Sequence, residues 1–112
     1  MKPDPTPWLP ELAVESVCRV LQMPREALLS PRRFGPTVIG QRLLYKLLDN
    51  EGYTPGEAAR VTGRDRSTIY AHLRGLELEV RASPRVAEQL RQCEQAMAQR
   101  VHEGGPDGIP AE

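Results

Sequence analysis

Residues 54–79 constrain the fold of this chain most strongly, because they hold two short helical patterns separated by a glycine. Residues 54–57, Thr-Pro-Gly-Glu, match a capping box, in which a hydroxyl precedes a first-turn proline and a glutamate follows three residues after the cap. The helix that they open ends before Gly63, and a second helical pattern begins at Asp65. Two short helices joined by a tight glycine-containing turn are typical of a helix-turn-helix. The sequence therefore predicts this motif over residues 54–79.

Helical patterns also account for most of the remaining chain. Apolar residues share one helical face over residues 11–23, and a wider apolar stripe runs over residues 37–51, with a short helix between them. The second helix of the motif is expected to bury Ile69, Leu73 and Leu76. No stretch has the alternating pattern of a strand. The sequence therefore predicts an all-α fold, a small bundle of about five to six helices containing the helix-turn-helix.

A last helix is expected to follow Ser83 and Pro84. Its apolar stripe has a spacing of four and three that a coiled-coil seam also has. The stripe consists of Val86, Leu90, Cys93, Met97 and Val101. Packing on its own domain and pairing with a second copy are both compatible with this pattern.

The two ends of the chain lack helical periodicity. Residues 1–10 contain four prolines and predict an extended leader, whereas residues 103–112 predict a disordered tail. The domain is therefore expected to span residues 11–102. No apolar run approaches the roughly 20 residues of a membrane span, and the amino end lacks the apolar region of a signal peptide. We expect a cytoplasmic protein without membrane contact.

Few side chains suited to catalysis or metal binding are present, and they are dispersed. The cysteines and histidines, Cys18, Cys93, His72 and His102, lack the spacing of metal ligands. No phosphate-binding loop of the type Gly-x-x-x-x-Gly-Lys-Ser/Thr is present. The sequence thus predicts no enzyme, no metal, no cofactor and no bound nucleotide. The cysteines are expected to be buried thiols, and His72 to be a surface or packing residue.

The charges are unevenly distributed, although the formal net charge is zero. Residues 30–76 carry eight basic and four acidic side chains, whereas residues 1–29 and 77–112 each carry a net negative charge. A basic middle between acidic flanks is a weak electrostatic footprint of nucleic-acid binding. A solvated protein surface is compatible with the same distribution.

The stretch from about Leu12 to Met97 resembles the C-terminal DNA-binding domain of the bacterial chromosomal replication initiator DnaA. GRDRSTIYAH (63–72) resembles that family's Gly-Arg-Asp-His-Ser/Thr-Thr-Val signature, and TPGEAARVTG (54–63) its Ser-Leu-Pro-Glu-Ile-Gly helix. LLSPRRF (28–34) is similar to its Leu-Leu-Ser-x-Arg-Arg basic loop, and GQRLLYKLL (40–48) more loosely to its Ala-Arg-Gln-x-Ala-x-x-Leu helix. The resemblance implies a Trp repressor-like fold that binds double-stranded DNA as a monomer, with a dimer through the last helix as the alternative.

The resemblance also implies the role of individual residues. Arg33 would enter the minor groove, and Asp65, Arg66 and Ser67 would read bases in the major groove. Side-chain chemistry agrees, because a carboxylate accepts from cytosine N4 and a guanidinium pairs bidentately with guanine. The start of the helix, with Thr68 nearby, suits a phosphate oxygen. The expected contacts to the DNA backbone are Arg32, Arg42, Lys46, Thr54, Arg60, Arg64, Thr68 and Arg74.

Departures from the family pattern limit what the resemblance implies. Arg66 stands where the family usually has histidine, and Gln41-Arg42 stands where it has Arg-Gln. The family's ATPase part is absent, so the chain is not itself a replication initiator. We expect a stand-alone, sequence-specific DNA-binding protein, either a regulator of transcription or replication initiation or a competitor for the initiator's own boxes. The alternative is a helical protein-interaction adaptor that has kept the fold and lost DNA binding.

Overall fold

The structure is a computed structural model that describes residues 9–30 and 35–102. Every regular element in these residues is an α-helix. The helices are α1 (Leu9–Leu21), α2 (Arg25–Leu28), α3 (Gly35–Asn50), α4 (Pro55–Thr62), α5 (Arg66–Ala82) and α6 (Pro84–His102). The predicted all-α bundle of five to six helices is confirmed. None of these helices is long and apolar enough to cross a membrane. Residues 1–8 of the predicted leader and the predicted tail lie outside the described residues.

Two helices begin earlier than the sequence pattern predicted. α1 begins at Leu9, inside the segment predicted to be extended, and α3 begins at Gly35, inside the predicted loop. Each has a proline as its second residue, where the missing N–H and the fixed φ are compatible with the first helical turn. α1 also ends at Leu21 instead of Met23, because the backbone of Gln22 is left-handed, with a φ of 54°.

α3 lies at the centre of the bundle and contacts each of the other five helices. Its wide apolar stripe explains this position, because a helix with neighbours on several sides must bury more than one narrow face. The apolar residues of α3 that are at most 2% exposed are Leu43, Leu44, Tyr45, Leu47 and Leu48. The other helices are therefore oriented by how each packs on α3.

The apolar stripe of α6 packs on the chain's own domain. Val86, Cys93 and Met97 are buried, Leu90 and Val101 are half-buried, and α6 contacts α1, α3 and α5. The helix begins as the sequence predicted, because the Val86 N–H donates to the Ser83 hydroxyl at 3.2 Å. Burial raises the pKa of the Cys93 thiol to about 12. Both cysteines are free thiols, although Cys18 is half-buried where the sequence predicted full burial.

The buried face of α5 is rotated from the face that the sequence predicted. Ile69 and Leu76 are buried as expected, but Leu73 is only half-buried and His72 lies in the core at 6% exposure. The His72 ring is packed against Tyr45 of α3, with ring centroids 5.2 Å apart. At about 100° per residue, positions 69, 72 and 76 share one arc and position 73 lies on its flank. The Tyr45 ring of α3 thus covers the imidazole of His72, whereas the apolar pattern alone predicted burial of Leu73.

This register predicts unequal effects for the same substitution at two leucines of α5. Leu76→Ala should lower the free energy of unfolding by about 2–5 kcal/mol, because it truncates a fully buried side chain. Leu73→Ala should cost less than about 2 kcal/mol, because part of that side chain already contacts water. Chemical denaturation of the two variants and the parent measures the difference. Equal losses for both variants would contradict the register.

Candidate nucleic-acid interface

Local hydrogen bonds define the helix-turn-helix. At the start of α4 the Glu57 N–H donates to the Thr54 hydroxyl at 3.2 Å, and the Thr54 N–H donates to Glu57 Oε1 at 2.8 Å. At its end Gly63 adopts the left-handed conformation with a φ of 71°, and the Arg64 N–H donates to the Ala59 carbonyl at 3.0 Å. Both the capping box and the glycine turn are as predicted. α5 extends to Ala82, three residues beyond the predicted boundary of the motif.

The start of α5 is directed away from the core. Asp65, Arg66 and Ser67 are consecutive and exposed. Further along the helix, Tyr70 is 58% exposed and Arg74 is also exposed. Positions separated by three or four residues share a helix face. The exposed face of α5 therefore begins with the sequence-predicted base-reading residues and continues through Tyr70 to Arg74.

The carboxylate of Asp65 does not cap α5. Its backbone occupies the N-cap position with a φ of −74° and a ψ of 149°, but its side chain makes no capping hydrogen bond. A capping aspartate would normally accept from one of the first backbone N–H groups of the helix. Helix capping therefore does not explain this aspartate, and its carboxylate is available to a ligand.

Three predicted DNA-contacting arginines are exposed in the same way. The guanidinium groups of Arg60 on α4 and of Arg66 and Arg74 on α5 have no hydrogen bond or ion pair with any other residue in 9–30 or 35–102. Arg66 extends beside the first turn of α4, where a Cβ built on Gly56 would lie 3.8 Å from its Cδ. The guanidinium groups are therefore free to bind an anionic partner.

Other residues predicted to contact the DNA backbone are bound within the protein. Lys46 pairs with Asp49 at 3.5 Å, and the Thr54 hydroxyl is used in the capping box. Arg42 is paired with Glu79, and Arg64 donates to backbone carbonyls at the end of α2. Charge and sequence position do not distinguish these residues from the exposed arginines.

The Arg42–Glu79 ion pair joins α3 to α5. A Cβ built on Gly75 would lie 2.6 Å from Arg42 Cζ, so the guanidinium lies directly against the α5 backbone at this glycine. The Arg42 side chain is 25% exposed, and its Nε is buried without a hydrogen-bond partner. Arg42 is thus mainly a packing residue. The mid-helix glycine was the sequence signal for this close approach, because glycine there is unfavourable unless it makes room for a neighbour.

A shallow concavity of about 420 Å³ lies beside the start of α5. Thr68 is half-buried in its wall. The concavity is lined by Val38, Arg42, Ser67, Thr68, Ala71 and His72. Arg32 and Arg33, predicted to contact the backbone and the minor groove, lie outside the described residues.

The described part of the chain contains no group of three or more His, Cys, Asp or Glu side chains arranged to hold a metal ion. The chain matches no protein-family model, no curated protein and no solved structure. The function must therefore be argued from the geometry of the residues themselves.

The α3–α5 ion pair predicts a difference between two glutamates of α5. Glu79→Ala should lower the free energy of unfolding by about 1–2 kcal/mol, because it leaves the largely buried Arg42 guanidinium without its partner. Glu77→Ala is the matched control, since Glu77 is exposed and its replacement should change stability by less than about 0.5 kcal/mol. Urea denaturation of both variants measures the difference. Equal stability of the two variants would show that the ion pair contributes nothing measurable.

Proposed function

We propose that this chain binds double-stranded DNA sequence-specifically, with the start of α5 in the major groove. The observation that carries the proposal is the exposed run Asp65–Arg66–Ser67, whose carboxylate does not cap the helix that it begins. Among the described residues, no side-chain hydrogen bond or ion pair uses the charged groups of Asp65 and Arg66. Binding to base edges would use each of them.

The chemistry of the three side chains suits base readout. The Asp65 carboxylate can accept a hydrogen bond from cytosine N4, and the Arg66 guanidinium can donate two bonds to guanine O6 and N7. Ser67 can donate to or accept from either kind of edge. An α-helix fits into the major groove of B-form DNA. The run therefore has the composition of a base-reading surface.

The free arginines around this run suit phosphate contacts. Arg74 follows Arg66 by eight residues, about 12 Å along the helix axis, and Arg60 lies on the preceding helix. Contacts of this kind hold the protein in register on the duplex without specifying a sequence. With Arg42 and Arg64 bound internally, fewer cations are available for phosphates, which favours weak non-specific binding with a shallow dependence on salt.

The resemblance of the chain to the DNA-binding domain of the DnaA initiator supports the proposal at the level of motifs. The role proposed is a regulator of transcription or replication initiation in the bacterial cytoplasm, or a competitor for the initiator's own boxes. Monomeric binding to an asymmetric site fits this role best, since the apolar stripe of α6 is packed within its own domain.

A protein-interaction adaptor is the second candidate, favoured by a groove beside α5. The groove encloses about 420 Å³ between α3, α5 and α6, and the exposed Tyr70 ring and the half-buried Leu73 form part of it. An adaptor would use this groove and would not need the free Asp65 carboxylate. DNA binding explains both the free carboxylate and the free arginines, so it is preferred.

Base readout predicts altered specificity in two conservative variants. A binding-site selection is carried out with the parent, Asp65→Asn and Arg66→His. The preferred sequence of each variant should differ from that of the parent at one position. Asn has nearly the size and shape of Asp, but its amide offers a base a donor as well as an acceptor. Each change should cost about 1–3 kcal/mol on the parent's preferred site.

Circular dichroism controls for folding in this experiment, because readout predicts unchanged helix content in all three proteins. Identical selected sequences would contradict readout by Asp65 and Arg66. If the parent enriches no sequence and shifts no duplex on a gel, the adaptor becomes the better proposal.

A phosphate contact predicts a different signature for Arg74. Arg74→Ala should weaken binding to all duplexes by a similar factor and reduce the slope of log K against log salt by about 0.9. The matched control is Arg19→Ala, which removes one exposed arginine from α1, outside the motif. Titrations of fluorescent duplexes at several salt concentrations measure both quantities. A changed base preference in Arg74→Ala, or an equal effect of Arg19→Ala, would contradict the assignment.

A further inference from the structure

The carbonyl of Ser30 accepts hydrogen bonds from two side chains that belong to different parts of the fold. Gln41 Nε2 of α3 donates to it at 3.0 Å, and Arg64 Nη2 of the turn before α5 donates to it at 3.0 Å. Each donor also binds a second carbonyl nearby. Gln41 Nε2 donates to the Leu28 carbonyl at 3.2 Å, and Arg64 Nη2 donates to the Leu29 carbonyl at 3.3 Å. Three successive carbonyls at the end of α2 are thus bound by two side chains.

These bonds hold a short element that would otherwise be weakly ordered. α2 has four residues, and the last carbonyls of a helix have no partner within it. Gln41 is 3% exposed on the central helix, so its amide is held in place by packing. Arg64 is half-buried in the turn that Gly63 begins. The end of α2 is therefore tied both to the core and to the helix-turn-helix.

We infer that Arg64 is a positioning residue, which with Gln41 fixes the chain at Ser30 relative to the start of α5. Arg32 and Arg33 follow Ser30 by two and three residues, so their Cα atoms lie within about 11 Å of it along the chain. The two bonds to Ser30 thus fix the point from which the segment that carries these arginines leaves the described fold. The hydrogen bonds to Ser30 do not depend on the proposed function, whereas their effect on DNA binding rests on it.

This inference separates Arg64 from the arginines on either side of it. Arg60 and Arg66 have free guanidinium groups, whereas the Nη2 edge of Arg64 is occupied by two carbonyls. A phosphate contact at Arg64 would act through its charge and independently of Arg33. A positioning role acts through the chain at Ser30, and it is shared with the uncharged Gln41.

The first test needs no DNA. Gln41→Met and Arg64→Met each keep an unbranched stem and remove the N–H donors. Mass spectrometry measures the rates of tryptic cleavage after Arg32 and Arg33 and the rate after Arg91 of α6. The ratio of the rates after Arg32 and Arg33 to the rate after Arg91 should rise about tenfold in both variants. Division by the α6 rate corrects for global unfolding. The control Arg60→Met should leave the ratio unchanged, and an unchanged ratio in Gln41→Met and Arg64→Met would overturn the inference.

The second test measures DNA affinity in the parent and in an Arg33→Ala background. In the parent, Gln41→Met and Arg64→Met should each weaken binding about tenfold. In the Arg33→Ala background each should weaken it by no more than about twofold, because the residue that they position has lost its side chain. General destabilisation would not depend on Arg33 in this way.

Two results would overturn the positioning role in this second test. The first is a full tenfold effect of Arg64→Met in the Arg33→Ala background, which would make Arg64 a phosphate contact. The second is an unchanged affinity of Gln41→Met, which would show that the bonds to Ser30 do not affect binding. If the parent itself binds no duplex, the proposed function fails, while the cleavage ratio still decides whether the two side chains hold the chain at Ser30.

Discussion

The packing of α5 on α3 is the constraint on which the candidate interface depends. Ile69 and Leu76 are buried on the inner face of α5, and the His72 ring lies against Tyr45 between them. Because successive residues of a helix are about 100° apart, a slip of one position would turn Arg66 and Ser67 away from their exposed positions. The core contacts of α5 therefore decide which of its side chains a ligand can reach.

The Arg42–Glu79 pair adds a polar contact to this apolar packing. The guanidinium lies against the α5 backbone at Gly75, where a Cβ would displace it. Such a partly buried pair contributes less to stability than its Coulomb energy suggests, because both groups are desolvated. The pair does restrict how α5 packs on α3, since Arg42 must reach Glu79 and lie against Gly75 at the same time.

The boundaries of the elements show where sequence reasoning succeeded and where it did not. The capping box at Thr54 and the left-handed turn at Gly63 were predictable, because each is determined by residues within one or two turns of chain. The starts of α1 and α3 were missed, because prolines in the first turn resemble loop residues when only composition is considered. Leu73 is less buried than predicted, and the open choice between surface and packing for His72 was decided by the ring of Tyr45 on another helix.

The sequence by itself determined the helical class, the helix-turn-helix and the charged run at the start of its second helix, because periodicity, capping and turn chemistry are local. Only the tertiary structure decided which basic residues are available. Arg60, Arg66 and Arg74 are exposed, whereas Arg42 and Arg64 are bound by Glu79 and by the carbonyls at the end of α2. Their partners are more than 30 positions away in the chain. Packing brought those partners together, so no local pattern identifies which arginines remain free.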